Sequence, residues 1–303
     1  MNNTDLKPLH KSVLVNEVLQ YLDPKPGKTY VDATLGCGGH TSAILDLEPT
    51  CNVIGIDWDQ KSIEQNAPIL KEKYDDRINI LWGNFSHLYK LLKNEGIKNV
   101  DGILADFGTS QLQIQERDGL SFMTDTPLDM RMSKSHYHIT AATILNTCTE
   151  NEIANILFEY ADETYARKIA RAIINKRKTE SFKTTRQLVE LIETIIPRYT
   201  KTGKRHTHPA TKTFQALRIA VNNELENIKS FLHASLPFLA PNGKLVCISF
   251  HSLEDRIVKS FFKEKEGLLE LKILTPKAIT ASSAELALNQ SSRSAKLRAA
   301  EKA

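Results

Sequence analysis

The sequence predicts an α/β fold with a parallel sheet and one helical insertion. Strand-like and helical segments alternate over about the first hundred residues, and such alternation is typical of βαβ units. The alternation stops from about residue 108 to residue 206 and returns near the end of the chain. We therefore expect a discontinuous core of residues 1–108 and 213–303, and a helical, basic insertion at residues 109–212.

The first part of the core is predicted from short apolar runs and the longer mixed segments between them. The first amphipathic segment ends at Pro24, and the first β-rich run leads into a group of glycines. In chain order, the expected elements are a helix at Leu14–Leu22, a strand at Thr29–Leu35, a helix at His40–Leu47, a strand at Cys51–Asp57, a helix at Gln60–Tyr74, a strand at Ile78–Trp82, a helix at Ser86–Asn94 and a strand at Val100–Phe107.

The insertion contains no segment that predicts a buried strand. It leaves the core at the carboxyl end of the fourth strand, where ligands bind in open parallel sheets. Thr149 followed by Glu152 predicts a capping box at the start of a helix. After a loop-like stretch at Leu112–Met132, helices are expected at Thr149–Glu159, Glu163–Lys176 and Thr185–Ile196.

The alternation returns in the last part of the chain, where Pro-Asn-Gly predicts a turn between a helix and a strand. The expected elements are a helical segment at Phe214–Leu239, a turn at Pro241–Gly243, a strand at Lys244–Phe250, a helix at Asp255–Phe262, a strand at Leu268–Leu274, a loop at Ala278–Ser294 and an edge strand at Ala295–Ala300.

Composition excludes several classes of protein. The 303 residues are 41% hydrophobic and 25% charged, which is the balance of a globular chain rather than a disordered one. No apolar run is long enough to span a membrane, and the first residues lack the apolar segment of a secretory signal. The four cysteines are scattered, so we expect no zinc site and no disulfide framework. The same scattering favours a reducing compartment, and we therefore expect a cytoplasmic location.

A glycine-rich turn follows the first predicted strand and contains Gly36, Gly38 and Gly39. Glycines let a backbone approach a ligand closely, although an ordinary strand-to-helix turn has the same pattern. Asp32 ends this strand, where its carboxylate can reach an ammonium group. Asp57 ends the next strand, where an acid bonds ribose hydroxyls. The pattern favours S-adenosyl-L-methionine (AdoMet) as the cofactor.

The competing interpretation of this turn is an NAD oxidoreductase. Thr34 stands where the first glycine of the dinucleotide fingerprint belongs, and an anion at Asp32 brings no advantage to a pyrophosphate. Both features favour AdoMet over NAD.

A third acid, Asp106, follows the fourth predicted strand and precedes Phe107 and Gly108. An acceptor in this place can bond the hydrogens of a base amine and turn its lone pair toward a methyl sulfonium. The alternative is a strand-end aspartate that caps a turn. No Pro-Cys pair occurs, which argues against a cysteine nucleophile. Phe85 follows the third strand and is a candidate to stack on adenine, or a core residue.

The insertion is strongly basic between Arg167 and Lys212. Thirteen Lys and Arg residues stand against three Glu residues there, a net charge of +10, compared with +4 for the whole chain. Arg167, Arg171 and Lys178 share one helical face, and Lys201–Arg205 forms a basic loop. This clustering favours phosphate contacts with a nucleic acid, although a charge run is also typical of a solvated face.

Three further stretches are candidate substrate contacts. Gly119–Met132 contains Asp129 and Arg131, and a lid or interdomain packing are both open interpretations. His208–Arg218 begins and ends with polar residues, for which helix capping is the alternative. His251 follows the fifth strand, beside Ser252, which is an alternative helix N-cap. The expected substrate-binding residues are Asp129, Arg131, His208, Arg218 and His251.

Together these residues resemble the bacterial 16S rRNA cytosine N4-methyltransferases over nearly the whole chain. The strings that carry the resemblance are His10–Val15 with Glu17, Gly38–Thr41, Ile56-Asp57, Ser121–Met123 with Pro127–Met132, Arg167–Ile174, His208–Ile219 with Val221-Asn222, Ile248–Lys259 and Arg293–Arg298.

The resemblance implies a class I, Rossmann-like methyltransferase core with a helical insertion that helps to recognise rRNA. By matching position it implies AdoMet contacts from Gly38, Gly39, His40, Asp57, Phe85, Asp106 and Gln113. His40 and Gln113 rest on the resemblance alone. The chain departs from the family pattern after Asp106, because Gln111, Leu112 and Gln115 replace a Ser, a Pro and an Asp.

The expected activity is AdoMet-dependent methylation of N4 of a decoding-centre cytidine in 16S rRNA, without a metal. Asp106 would hold the target amine, and the partner would be the small ribosomal subunit rather than a membrane, with a homodimer among the assemblies allowed. Two other interpretations remain, a DNA amino-methyltransferase and a non-catalytic rRNA-binding assembly protein. The absence of an Asp-Pro-Pro-Tyr motif argues against the first, and the altered loop at 111–115 is the only support for the second.

Overall fold

A computed structural model describes residues 11–108, 114, 117–197 and 208–303. The chain forms two units, the first made of Met1–Ser110 and Leu225–Ala303 and the second of Gln111–Glu224. Sequence reasoning had placed the return to the core at residue 213. The helix Thr211–Asn222 instead belongs to the second unit, because Phe214, Leu217 and Val221 pack into that unit's apolar core.

The first unit contains a sheet whose strands run in the order β3-β2-β1-β4-β5-β8-β6, with β7 paired to β8. The strands from β3 to β5 are parallel to their neighbours, and β8 is antiparallel to β5, β6 and β7. This confirms the predicted α/β class. The strands are β1 (Thr29–Asp32), β2 (Asn52–Asp57), β3 (Ile78–Trp82), β4 (Val100–Asp106), β5 (Leu239–Ser249), β6 (Leu271–Ile273), β7 (Ile279–Thr280) and β8 (Lys296–Lys302).

Helices cover both faces of this sheet because successive strand residues point to opposite sides. Ile103 of β4 belongs to one apolar cluster, and its neighbour Leu104 belongs to the other. The two clusters contain side chains from different helices, so each face of the sheet is covered by its own set of helices. The helices of this unit are α1 (Val15–Leu22), α2 (Gly39–Leu47), α3 (Gln60–Tyr74), α4 (Leu88–Asn94), α10 (Glu224–Ser235, whose first residue belongs to the second unit), α11 (Ser252–Gly267) and α12 (Ser283–Leu288).

The second unit is helical, as expected for the insertion. The predicted capping box is present, since Thr149 N donates to Glu152 Oε2 at 2.7 Å and Glu152 N donates to Thr149 Oγ1 at 3.3 Å. One helix of seven residues, Ala141–Thr147, was not anticipated. The helices are α5 (Ala141–Thr147), α6 (Glu150–Ala161), α7 (Ala166–Arg177), α8 (Thr185–Glu193) and α9 (Thr211–Asn222). Across the described ranges, no helix has the length and apolarity needed to cross a membrane.

Three predictions for the last part of the chain were wrong or incomplete. The helical segment from Phe214 is broken at Asn223, whose φ of +49° ends α9 before α10 begins. The predicted turn at 241–243 is an irregularity inside β5, where the pairing with β4 shifts from Leu239 to Lys244. The predicted loop at 278–294 contains β7, α12 and a 3₁₀ turn.

The last strand was predicted to lie at a sheet edge, and this was wrong. β8 lies between β5 on one side and β6 and β7 on the other. Leu297, Ala299 and Ala300 are fully buried there. A burial pattern does not identify a strand's neighbours, which are set by pairing over long sequence distances.

Candidate active site

Three carboxylates meet at the carboxyl edge of the parallel sheet. β1 pairs with β2 on one side and with β4 on the other, so Asp32, Asp57 and Asp106 end three adjacent strands. From β1 the chain first adds β2 and β3 on one side of the sheet and then β4 and β5 on the other side. Open α/β sheets bind ligands at the point where the strand order changes direction in this way. The sequence-predicted acids are therefore brought together.

The glycine turn between β1 and α2 has an open side and a packed side. Gly36 has a φ of +50°, and a Cβ built there would come no closer to another atom than 3.9 Å, from Thr34 O. A Cβ on Gly38 would lie 2.7 Å from the Leu70 side chain, and one on Gly39 would collide with Ser12. Gly38, which has a φ of +76°, and Gly39 are thus closely packed against these side chains, whereas the absent side chain of Gly36 leaves free space beside the turn.

Asp57 ties the turn to the second strand. Its Oδ2 accepts from Gly36 N at 2.7 Å, and its Oδ1 accepts from Asp59 N at 2.8 Å. Burial raises the pKa of this carboxyl to about 6, against the two backbone hydrogen bonds that lower it. Each oxygen keeps a further lone pair, so the side chain can still accept from hydroxyl groups of a ligand.

Asp32 is engaged inside the protein rather than directed at an open space. Its side chain is buried, Oδ2 accepts from Thr41 Oγ1 at 2.7 Å, and Oδ1 accepts from Thr34 N at 3.2 Å. Burial raises its pKa, and the nearby charge of His40 opposes that shift. The geometry gives Asp32 the task of holding the turn, and an ammonium contact stays a prediction.

Thr34 is a site residue whose contacts sequence reasoning missed. Its Oγ1 accepts from Asp106 N at 2.7 Å, and its own N donates to Asp32. One threonine therefore links the ends of β1 and β4. The only sequence signal is its place in the glycine loop, where it departs from the dinucleotide fingerprint.

His40 and Asp106 face each other across this edge. His40 Nε2 lies 3.5 Å from Asp106 Oδ2, and the side chains are 5% and 19% exposed. Within the described part of the chain, both ring nitrogens and Asp106 Oδ1 are buried without a hydrogen-bond partner. Burial lowers the pKa of His40, but the contact with Asp106 and the carboxylates around it outweigh burial and raise it overall.

Phe85 begins a short 3₁₀ turn after β3 and is half-buried. Its ring centroid lies 5.8 Å from those of Phe107 and Phe231, so it belongs to an aromatic group at the sheet edge. These contacts support the core interpretation. Stacking of the remaining surface on adenine stays a prediction.

His251 was expected to contact the substrate, with Ser252 as the alternative helix cap. The cap of α11 is His251 itself: its Nδ1 accepts from Glu254 N at 3.5 Å, and Glu254 Oε2 accepts from His251 N at 3.2 Å. Glu254 Oε2 also accepts from Phe250 N at 2.7 Å. The alternative cap at Ser252 was therefore wrong by one residue.

The candidate residues of the second unit are held by internal pairs. Arg131 Nε and Nη2 donate to the two oxygens of Asp129 at 2.6 and 2.8 Å. Partial burial raises the pKa of Asp129, but the contacts with Arg131 outweigh burial and lower the pKa overall. Arg218 donates to Glu224 at 2.9 and 3.0 Å. His208 stacks on Phe122 at a centroid distance of 4.7 Å. Each of these contacts stabilises the unit itself.

The basic residues of the second unit divide into structural and exposed groups. Arg177 donates to the carbonyls of Leu145 and Cys148 at 2.8 and 2.6 Å, so it closes the end of α5. Arg167, Lys168 and Arg171 are exposed on α7. Gln113, the altered positions Gln111, Leu112 and Gln115, and the basic residues Arg198, Lys201, Lys204 and Arg205 lie outside the described residues.

The residues at this edge fit AdoMet. The free space beside Gly36 suits a ligand backbone, and Asp57 offers acceptors for ribose hydroxyls. Asp106 Oδ1 is a buried acceptor without a partner among the described residues, and a buried polar atom is normally satisfied. Asp57 and Asp106 thus offer oxygen atoms that can accept hydrogen bonds from the hydroxyl and amine groups of a bound ligand.

Comparison with known proteins identifies the family. The profile of the MraW methylase family matches residues 7–303. A protein named ribosomal RNA small subunit methyltransferase H from Kosmotoga olearia is 45% identical over 299 residues, covering 97% of both chains. The protein of the same name from Desulfotalea psychrophila is 43% identical over 300 residues, covering 98% of this chain and 99% of its own.

Solved structures of lower similarity were also found. A putative rRNA methylase from Clostridium thermocellum matches with a TM-score of 0.46 at 12% identity, covering 95% of each chain. A putative methyltransferase from Streptococcus mutans in complex with SAH matches with a TM-score of 0.45 at 10% identity, also covering 95% of each chain. On its sequence, the chain belongs to the MraW methylase family, and AdoMet is its cofactor.

Proposed function

We propose that the protein methylates small-subunit ribosomal RNA, and that its target is the N4 amine of a cytidine in the decoding centre. The observation that carries the proposal is Asp106, which ends β4 beside the glycine turn with a buried Oδ1 that lacks a partner in the described chain. The names of the two relatives support an rRNA substrate. The cytosine N4 target rests on the resemblance of the sequence motifs.

The side chains have distinct tasks in this proposal. AdoMet supplies a methyl group already activated by a sulfonium, so no metal is required. Asp57 accepts from the ribose hydroxyls, and Gly36 leaves room for the cofactor beside the turn. Phe85 and Gln113 are proposed as further cofactor contacts. Asp106 Oδ1 accepts a hydrogen of the target amine, which orients the nitrogen lone pair for in-line transfer.

RNA contacts are proposed for the second unit. A base within a helix must be unstacked before its amine can reach a cofactor. Arg167 and Lys168 present exposed positive charge on α7 that suits phosphates, and Arg171, which is also exposed, pairs with Glu150 at 3.2 Å and would exchange that partner for a phosphate. Asp129, Arg131, His208 and Arg218 are paired within the unit, so we propose that they shape the substrate-facing loops. His251 remains a proposed substrate contact on the first unit.

The test uses small ribosomal subunits from cells that lack this protein, incubated with the purified protein and methyl-labelled AdoMet. Digestion of the rRNA and mass spectrometry should identify N4-methylcytidine at one decoding-centre position. Labelling of plain duplex DNA instead would favour a DNA amino-methyltransferase. AdoMet binding without transfer to any nucleic acid would favour the non-catalytic assembly protein.

Two aspartates on the same strand provide a matched pair of variants. Asp106→Asn should lower turnover by about 10²–10⁴-fold while RNA affinity is retained. Asp101→Asn changes a carboxylate near the other end of β4, which accepts from Thr29 N at 3.0 Å, and should leave turnover within about twofold. Equal losses in both variants would contradict the role of Asp106.

The proposal also concerns the cellular location and the oligomeric state of the protein. We propose a cytoplasmic location, because the small ribosomal subunit is its substrate. A monomer and a homodimer are both compatible with this proposal, and sedimentation analysis of the full chain decides between them.

A further inference from the structure

A group of three titratable side chains, two of them buried and one half-buried, lies at the active-site edge. The group consists of His40 on the first turn of α2, Asp32 at the end of β1 and Asp106 at the end of β4, and is called the His40 cluster below. The closest approach is between His40 Nε2 and Asp106 Oδ2, at 3.5 Å. All three residues belong to the first unit.

The charges around His40 have one sign. Asp106, Asp32 and Glu285 of α12 act on the imidazole as negative groups. Glu285 is itself engaged, because its Oε1 accepts from Leu14 N at 2.7 Å. Charges with little exposure are tolerated when they are paired, so a protonated His40 compensates negative charge on the buried Asp32 and the half-buried Asp106, whereas a neutral ring would not.

The two oxygens of Asp106 have different surroundings. Oδ2 faces His40 Nε2, while Oδ1 is buried and without a partner among the residues described. Asp106 N is held by Thr34 Oγ1 at 2.7 Å, which places the backbone at the end of the strand. The side chain still has a rotatable bond that this backbone contact does not restrain, so a second contact is needed to orient it.

We infer that His40 is a positioning residue for methyl transfer: its protonated ring holds Oδ2 of Asp106 and thereby directs Oδ1 at the target amine. The inference rests on the proposed function, because it assigns Asp106 to the amine. It differs from the cofactor contact that the sequence resemblance implies for His40. The side chain is only 5% exposed and turned toward Asp106, so a cofactor contact at this position would fall to the backbone.

Three variants separate positioning from cofactor binding. His40→Leu removes the donor and the charge and should lower kcat by about 100-fold, the order expected when a reacting group is misplaced. His40→Gln keeps an amide donor near the position of Nε2 and should recover most of that loss. The AdoMet Kd, measured by calorimetry, should stay within about threefold of wild type in both. His233→Gln, an exposed histidine of α10, is the matched control and should behave as wild type.

The pH profile is a readout that a merely structural role would not move. The pKa of His40 is raised in the folded protein, so the ring is charged below that pKa and loses its proton as the pH rises through it. Wild-type kcat should therefore fall on the alkaline side, and His40→Gln should lack this limb because an amide does not titrate. An unchanged alkaline limb in His40→Gln would overturn the inference.

A second measurement does not depend on activity. In the holoprotein, the ring nitrogen signals of His40 followed by NMR should titrate at a higher pKa in wild type than in Asp106→Asn, because the carboxylate raises it. This measurement tests the pairing even where His40→Leu fails to fold. A His40 pKa that is the same in both proteins would contradict the pairing.

The outcomes distinguish the inference from the proposed function. In one outcome, the wild-type protein transfers no label to any nucleic acid, but the NMR titration of His40 depends on Asp106. The proposed function then fails. His40 and Asp106 are paired without a catalytic role, and the inference as stated is overturned. If wild type labels rRNA and His40→Leu raises the AdoMet Kd while kcat is kept, His40 is a cofactor contact and the inference is wrong. If kcat alone falls and His40→Gln recovers it, the inference is supported.

Discussion

The candidate residues at the sheet edge and those of the second unit differ in how far their polar atoms are already paired. At the edge, Asp106 Oδ1 and both ring nitrogens of His40 lack hydrogen bonds within the described residues. In the second unit, Asp129 is bonded by Arg131 and Glu224 by Arg218. An unsatisfied buried acceptor such as Asp106 Oδ1 is costly and therefore indicates a ligand, whereas the paired groups of the second unit are explained by their contribution to folding.

The comparison leads to a simple expectation about variants. Changes at Asp106, whose Oδ1 has no partner among the described residues, should reduce turnover with little change in stability. Changes to the pairs of the second unit should reduce stability first. The following predictions test this division, from the largest expected effect to the smallest.

The strongest test of the second unit is Arg218→Met. The substitution leaves the buried Glu224 carboxylate without its bidentate partner, so the free energy of unfolding should fall by about 3 kcal/mol. Arg186→Met is the matched control, because the Arg186 pair with Asp125 is 3.9 Å long and exposed, and it should cost less than about 0.5 kcal/mol. Urea denaturation measures both. If Arg218→Met loses turnover but keeps its stability, Arg218 acts in binding or catalysis, as proposed for the edge residues, and the division is contradicted.

The acidity of Asp57 gives the second prediction. Its pKa is raised to about 6 in the folded protein, so the carboxyl gains a proton as the pH falls through about 6. A protonated Asp57 accepts fewer hydroxyl hydrogen bonds, and the AdoMet Kd should therefore rise by about tenfold between pH 7 and pH 5. Asp57→Asn should bind AdoMet weakly at both pH values. Calorimetry on the wild type showing no change of Kd across this range would exclude Asp57 from the cofactor site.

The raised pKa of Asp57 also has a consequence for stability. The folded state disfavours the charged form, so the carboxyl destabilises the fold above pH 6, and this destabilisation is relieved as the pH falls from about 6 toward the ordinary pKa of 3.8. Cofactor binding and intrinsic stability should thus respond to acid in opposite directions at this residue. Melting curves of the wild type and Asp57→Asn at both pH values separate the two.

The third prediction compares two glycines with positive φ and room for a Cβ. Gly36→Ala and Gly27→Ala should each lower stability by about 1 kcal/mol, because a Cβ is strained in the left-handed region. Gly36→Ala should in addition weaken AdoMet binding by about tenfold, since the new methyl group occupies the space beside the turn. Gly27→Ala should bind normally. Equal affinities in the two variants would show that the cofactor does not approach Gly36.

The smallest effect is expected from the exposed arginines of α7. The double variant Arg167→Gln with Arg171→Gln should weaken RNA binding by about threefold to tenfold and flatten its salt dependence by about 0.7 per lost phosphate contact. The AdoMet Kd and the stability should not change. Lys263→Gln, an exposed residue of α11, is the control. If the salt dependence of RNA affinity is the same in the double variant as in the wild type, this face of α7 contacts solvent and makes no phosphate contacts.

Local patterns predicted most of the first unit. The bounds of β3 and α3 match the sequence prediction residue for residue, because an apolar run of strand length and a long mixed segment are local signals. The three strand-end acids followed directly from these strands. The pairing of Thr34 with Asp106 did not, because it joins residues 72 positions apart in the sequence.

The errors have related causes. β8 was predicted at an edge although it lies between three other strands, since burial does not identify pairing partners. The break at Asn223 was missed because a single left-handed residue interrupts an otherwise continuous helical pattern. His251 was considered as a ligand contact with Ser252 as the cap, whereas the side chain that begins α11 belongs to His251.

The sequence by itself determined the α/β class, the family and the chemical types of the edge residues, because these depend on local periodicity and on motif strings. The tertiary structure alone decided which polar groups have partners. It buried Asp32 against Thr41, paired Arg131 with Asp129, and set His40 beside Asp106 with an oxygen left unbonded within the described chain. The physical reason is that hydrogen-bond satisfaction depends on distances between residues far apart in the chain, which no local pattern encodes.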